Sequence, residues 1–272
     1  MEKLDLQSGA PIGLFDFGIG GLTVVKEIRK EMPFENIIFL EDKIPLGKSI
    51  KEIEKLVISN VIFLKRKGVK LVIIACNTAT AAGLDEAKKT VNIPIIGVIE
   101  PGAKMAVATT KKGRIGVVGT ETTVYSRLYS KYIRSFVNRD IKVFEFPCPE
   151  LATQIEEYLI SGYEEFVKNI VKQSFKFFKS KDIDTLIMGC THFPLIEELF
   201  KKIFGEISYI DPAIATAKVV KRILISNKMV NNSRKKASYN FYTKNVPKRL
   251  ELLAEKILSN YVQCINLRKI KN

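Results

Sequence analysis

Two stretches decide how this chain folds: Lys70-Leu-Val-Ile-Ile-Ala-Cys76-Asn-Thr78 and Asp184-Thr-Leu-Ile-Met-Gly-Cys190-Thr-His192. In each, a charged residue opens an apolar run that ends at a cysteine followed by small polar residues. Short, unbroken apolar runs of this kind suit strands buried on both faces, as in parallel sheets. Helical periodicity follows both, over Thr78 to Lys89 and over Pro194 to Ile203.

The same alternation extends in both directions. Ile12 to Phe15 reads as a strand, Gly18, Gly20 and Gly21 as a tight turn, and Leu22, Val25 and Ile28 as one helix face. Strands at Ile37 to Leu40, Leu71 to Ala75 and Ile95 to Val98 flank a helix at Ile50 to Lys65. Past Lys111 to Gly113 the order restarts with strands at Ile115 to Val118, Ile141 to Phe146, Thr185 to Met188 and Ile207 to Ile210. Helices are expected at Thr123 to Phe136, Leu151 to Ile160, Glu164 to Phe178 and Ala213 to Ser226. The tail offers a strand at Ser238 to Tyr242, a helix at Pro247 to Leu258 and an apolar run from Tyr261 to Leu267, packing back on the first half. The fold class is α/β: two similar doubly wound parallel-sheet domains facing each other across a cleft. Residues 1–98 with 212–272 form the first domain and 99–211 the second.

Composition narrows the function classes. The 272 residues are 46% apolar and 27% charged, ordinary globular usage that excludes disordered, collagen-like and disulfide-dense chains. Cys76, Cys148, Cys190 and Cys264 are too far apart for a close-spaced zinc or redox pair, so free thiols in a reducing, cytoplasmic setting are expected. No apolar run approaches membrane-span length, and Met1 to Pro11 reads as a loose leader, not a secretory signal. The net charge of +15 is spread over Lys-rich helix faces without a recognition motif, so it reads as solvation and not as a nucleic-acid surface. Gly18-Ile-Gly20-Gly21 falls short of a dinucleotide fingerprint, because Thr23 stands where the third glycine is needed.

Open parallel sheets bind ligands beyond the carboxyl ends of their strands. That rule places Asp16, Cys76, Thr120 and Cys190 at one cleft. A helix start directly after a cysteine favours its thiolate. Two thiols on opposite sides can remove a proton from one face of a carbon and return one to the other, exchanging roles in reverse. Asn77, Thr78, Thr120, Thr123 and Thr191 would supply side-chain hydrogen bonds, and Gly47 and the helix start after Cys190 would supply amides for carboxylates.

These blocks carry a resemblance. With Pro45 and Gly47, Gly97-Val-Ile-Glu100-Pro101, Gly119-Thr120, Ser126, Tyr129, Cys148-Pro149 and Glu156 in order, the chain resembles the glutamate racemases of the cofactor-independent aspartate/glutamate racemase superfamily. The match runs from about residue 12 to 213. The resemblance implies interconversion of L- and D-glutamate without metal or organic cofactor, supplying D-glutamate for peptidoglycan, by a homodimer. It implies that Cys76 exchanges the α-proton of the D-enantiomer and Cys190 that of the L-enantiomer. Asp16 would assist the first thiol, and Glu156 and His192 the second. Two positions depart from the pattern: Phe17 stands where the family usually has Ser, and Leu46 where it has Tyr. Pro45, Leu46 and Phe17 are carried over as substrate-site positions on that basis. The alternatives are a racemase of another amino acid such as aspartate, or a racemase-like binding protein impaired by Phe17.

Overall fold

The computed structural model describes residues 8–44, 48–138, 140–233, 235–260 and 262–267. Pro45, Leu46 and Gly47, most of the leader, and Tyr261 of the last apolar run lie outside them. The structure is α/β, as expected, with two parallel sheets.

The first sheet contains β1 (Ile12–Asp16), β2 (Ile37–Glu41), β3 (Leu71–Ile74) and β4 (Ile95–Gly97), joined by β9 (Tyr239–Thr243) and β10 (Cys264–Asn266), in the order β10-β9-β2-β1-β3-β4. The second contains β5 (Arg114–Gly119), β6 (Lys142–Pro147), β7 (Thr185–Gly189) and β8 (Ser208–Ile210), in the order β6-β5-β7-β8. All strand pairs are parallel. The first four strands and the second four therefore follow one plan, with β3 and β7, the strands that lead to Cys76 and Cys190, in equivalent places.

Period-two alternation explains why both faces of each sheet are covered. Leu14 and Ile73 point into a core shared with α1 (Leu22–Glu31), α10 (Pro212–Ser226) and α11 (Pro247–Leu258). Phe15, Val72 and Ile74 point oppositely, against α2 (Ile50–Arg66) and α3 (Asn77–Lys88). In the second sheet Leu186 and Met188 meet α7 (Leu151–Ser161), α8 (Glu165–Lys179) and α9 (Glu197–Phe204), while Ile115, Val117 and Ile187 meet α4 (Ile99–Thr109) and α6 (Leu128–Ser135). Each such fully buried side chain contributes about 1.5–3 kcal/mol of transfer free energy.

The charged residue opening each decisive run is an anchor. Lys70 Nζ is wholly buried and donates to Glu35 and to the carbonyls of Ser8 and Met229. Asp184 accepts from Thr110 Oγ1 and from the amides of Lys111 and Lys112.

Three expected elements are corrected. The helix expected over Thr123 to Phe136 is two, α5 (Glu121–Tyr125) and α6, because Arg127 adopts a left-handed conformation at φ 57°. The helix after Cys190 begins as a 3-10 turn, Phe193–Ile196, with α9 only beyond it. The sequence reading passed over α4, whose Pro101 and Gly102 resemble a loop but sit in its first turns, where a missing amide hydrogen costs nothing.

Candidate active site

The carboxyl ends of β1, β3, β5 and β7 converge on a cleft of about 380 Å³. Its walls include Asp16, Phe17, Cys76, Asn77 and Thr78 from the first sheet's loops, and Thr120, Cys190, Thr191 and His192 from the second's. Both thiols thus border one space; Cys76 is 8% and Cys190 6% exposed.

On the first side, Cys76 is the residue from which α3 starts, its carbonyl accepting from the amide of Thr80. The expected depression of its pKa is reversed in the folded chain. Burial and the charge of Asp16 push the Cys76 thiol well up, against a downward pull from the amides of Ala79 and Phe17. Asp16 is itself raised by burial, opposed by the charge of His192 and by hydrogen bonds from Thr191 and Cys76. This side of the cleft therefore holds on to protons.

On the second side the partners are different. His192 Nδ1 lies 3.7 Å from Cys190 Sγ, and Nε2 lies 2.8 Å from Glu156 Oε1. Burial works against the charged imidazole, but Cys190 and Glu156 outweigh it and raise His192 to about 10. Glu156 is held below its ordinary range: burial is overcome by hydrogen bonds from His192 and Arg249. His192 is accordingly an imidazolium at neutral pH, donating to Glu156.

Hydrogen bonds across the cleft lock the two sides together. Thr191 Oγ1 donates to Asp16 Oδ2 at 2.8 Å, the hydroxyls of Thr78 and Thr120 are 2.8 Å apart, and Tyr129 Oη donates to Asn77 Oδ1 at 2.7 Å. Each cysteine loop is thereby tied to the opposite sheet. The glycine turn after β1 serves the same approach. A Cβ on Gly20 would lie 2.4 Å from Thr191 Oγ1 and 2.6 Å from His192 Nδ1, so only glycine lets this turn lie against the second loop.

Among the described residues singled out from sequence, two do not line the cleft, and Pro45, Leu46 and Gly47 lie outside the described residues. Thr123 is fully buried, and its hydroxyl is 3.0 Å from that of Thr120, which it supports from behind. Glu156 reaches the cleft only through His192. Phe17 does line it, with its ring edge-on to Phe15 at 5.9 Å between centroids. Sequence reasoning missed Lys48, which lines the cleft in an ion pair with Glu52, as well as Thr153 and Arg249. Asn77, expected to supply a side-chain hydrogen bond, has a buried donor, Nδ2, left without an acceptor among the described residues.

Comparison with known proteins points one way. Residues 48–220 match the family described as Asp/Glu/Hydantoin racemase. A glutamate racemase of Levilactobacillus brevis is 38% identical over 253 residues, covering 91% of each chain. The crystal structure of glutamate racemase isoform RacE1 from Bacillus anthracis superposes with a TM-score of 0.90 at 37% identity, covering 96% of this chain and 98% of that one. The glutamate racemase of Francisella tularensis in complex with D-glutamate superposes with a TM-score of 0.85 at 34% identity, covering 94% and 96%.

Proposed function

The chain belongs to the Asp/Glu/Hydantoin racemase family and is an amino-acid racemase; from that premise we propose that it interconverts L- and D-glutamate by a two-base mechanism in which Cys76 and Cys190 carry the proton. The observation that carries the reading is the placement of both thiols at equivalent strand ends bordering one cleft.

In the L-to-D direction the Cys190 thiolate takes the α-proton, the carbon's electron pair delocalises into the adjacent carboxylate, and the Cys76 thiol protonates the other face. The D-to-L direction reverses the roles. Asp16, which accepts a hydrogen bond from Cys76, serves the first thiol. The imidazolium of His192, oriented by Glu156, offsets negative charge on the second. Deprotonation beside a carboxylate creates a dianionic, enolate-like species, so donors aimed at that carboxylate favour the transition state over the ground state. Asn77 Nδ2 and the hydroxyls of Thr78 and Thr120 are the donors this reading assigns; Thr191 gives its hydroxyl hydrogen to Asp16, and the amide of Gly47, which the family resemblance adds, lies outside the described residues. Thr123 acts by orienting Thr120. Phe17 keeps its backbone amide on Cys76 whatever its side chain, which supports retained turnover. The product is D-glutamate for peptidoglycan, made in the cytoplasm by a homodimer, as the family resemblance implies.

Proton NMR of D- and L-glutamate in heavy water tests the reading. The protein should erase the α-proton signal of both enantiomers, and Cys76→Ala and Cys190→Ala should each abolish racemisation, by about 10⁴-fold or more. Exchange with aspartate alone would reassign the substrate, and exchange with neither would refute the proposal.

A further inference from the structure

The last helix carries a residue toward the cleft that no motif marks. Arg249 lies in the first turn of α11, whose Leu250, Leu253, Ala254, Ile257 and Leu258 are buried in the first sheet's core. Its guanidinium turns the other way, to α7. Nη2 and Nε donate to Glu156 Oε2 at 2.9 and 3.3 Å, and Nη2 also donates to Glu157 Oε1 at 3.1 Å. Glu156 spends its other oxygen, Oε1, on His192.

We infer that Arg249 is a positioning residue for the Cys190 side of the cleft: by holding one oxygen of Glu156 it turns the other onto His192, and so fixes the imidazole against Cys190. The inference rests on the proposed racemisation, within which His192 must face the reacting thiol. Three observations favour it over an incidental surface ion pair, which is ordinarily worth little. First, Oε2 of Glu156 has no other hydrogen-bond partner among the described residues, so without Arg249 only the contact with His192 is left to orient the carboxylate. Second, α11 does not need Arg249 to dock: its apolar face is buried, and Lys256 Nζ separately donates to the Leu159 carbonyl of α7. Third, Arg249 brings two donors of one rigid plane, Nε and Nη2, to that single oxygen, which restrains its position more than a point charge does. The other charged and titratable groups around this chain of contacts are Asp16 and Cys190 beside His192, and Glu41 and Glu157 beside Glu156.

His192 is the only histidine in the sequence, so one imidazole resonance reports the geometry without substrate. The experiment follows that resonance by carbon-13 or nitrogen-15 NMR against pH in the full-length protein, alongside glutamate racemisation, for Arg249→Met, Arg249→Lys and Glu157→Gln. Removing a nearby cation would by itself raise the His192 midpoint. Loss of a positioned Glu156 lowers it. We expect Arg249→Met to lower the midpoint and reduce kcat on the order of tenfold to a hundredfold with a smaller change in KM. Arg249→Lys should recover only part of both losses, and Glu157→Gln should match the wild type. A midpoint in Arg249→Met that stays or rises overturns the inference. If the wild type does not racemise glutamate, the functional proposal fails, yet the His192 titration still decides whether Arg249 positions Glu156.

Discussion

The two sides of the cleft share a strand plan but not a proton chemistry. Cys76 and Cys190 follow the corresponding strands β3 and β7, and each loop is hydrogen-bonded to the opposite sheet. Two residues past the cysteine, however, one side has Thr78 and the other His192. The first thiol is paired with a buried carboxyl, Asp16, and both are pushed toward their protonated forms. The second faces an imidazolium backed by Glu156 and Arg249. A repeated frame thus places two thiols at equivalent strand ends, while unlike neighbours surround them. Proton removal from one face and return to the other needs a thiol on each side of the cleft, but nothing requires the same group to assist each thiol.

The difference should be visible in kinetics. Enantiomers are equally stable in water, so kcat/KM must remain equal in the two directions for any variant. An unequal defect can appear only as a different split between kcat and KM. Asp16→Asn and His192→Asn are each expected to lower kcat/KM by about 10²-fold, at the low end for an assisting acid or base. The two variants should depart in opposite senses in the ratio of kcat from L-glutamate to kcat from D-glutamate, measured by polarimetry in both directions. The same split in both would mean that the two sides are not functionally distinct. A smaller effect should follow from Gly20→Ala. The added carbon displaces Thr191 and His192, and should destabilise the fold by about 1–3 kcal/mol in urea unfolding. Smallest is Phe17→Ser: a regained hydroxyl contact is worth about 0.5–1.5 kcal/mol, read as a severalfold lower KM with little change in kcat. An unchanged ratio of kcat to KM would show that Phe17 does not limit the enzyme.

Most of the frame was legible in the sequence because buried parallel strands leave a strong local trace. Leu71 to Ile74 and Leu186 to Met188 are apolar throughout, and both cysteines that follow stand out against polar successors. What escaped depended on tertiary contact. The break at Arg127 is a single backbone conformation inside an otherwise helical pattern. The thiol of Cys76 was misjudged because the helix start is local, whereas the burial and the Asp16 charge that outweigh it are assembled from distant segments. Thr123, expected as a hydroxyl donor in the cleft, sits in a helix turn that directs its side chain inward. Arg249 has no local signal at all, since its partner Glu156 is 93 positions away.

The insertion of β9 beside β2 has a consequence for biosynthesis. β2 is a run of Ile, Ile, Phe and Leu, and the bond between Thr243 and Glu41 that closes its far edge joins residues 202 positions apart. On the ribosome, the segments that form β1 to β4 emerge early, yet an apolar strand edge must wait for nearly the whole remaining polypeptide before it is covered. Such an edge is a template for pairing with other chains, and closure over so long a loop is slow. A translation product interrupted between α10 and β9 would expose that edge permanently, so aggregation of truncated chains should begin at residues 37–41.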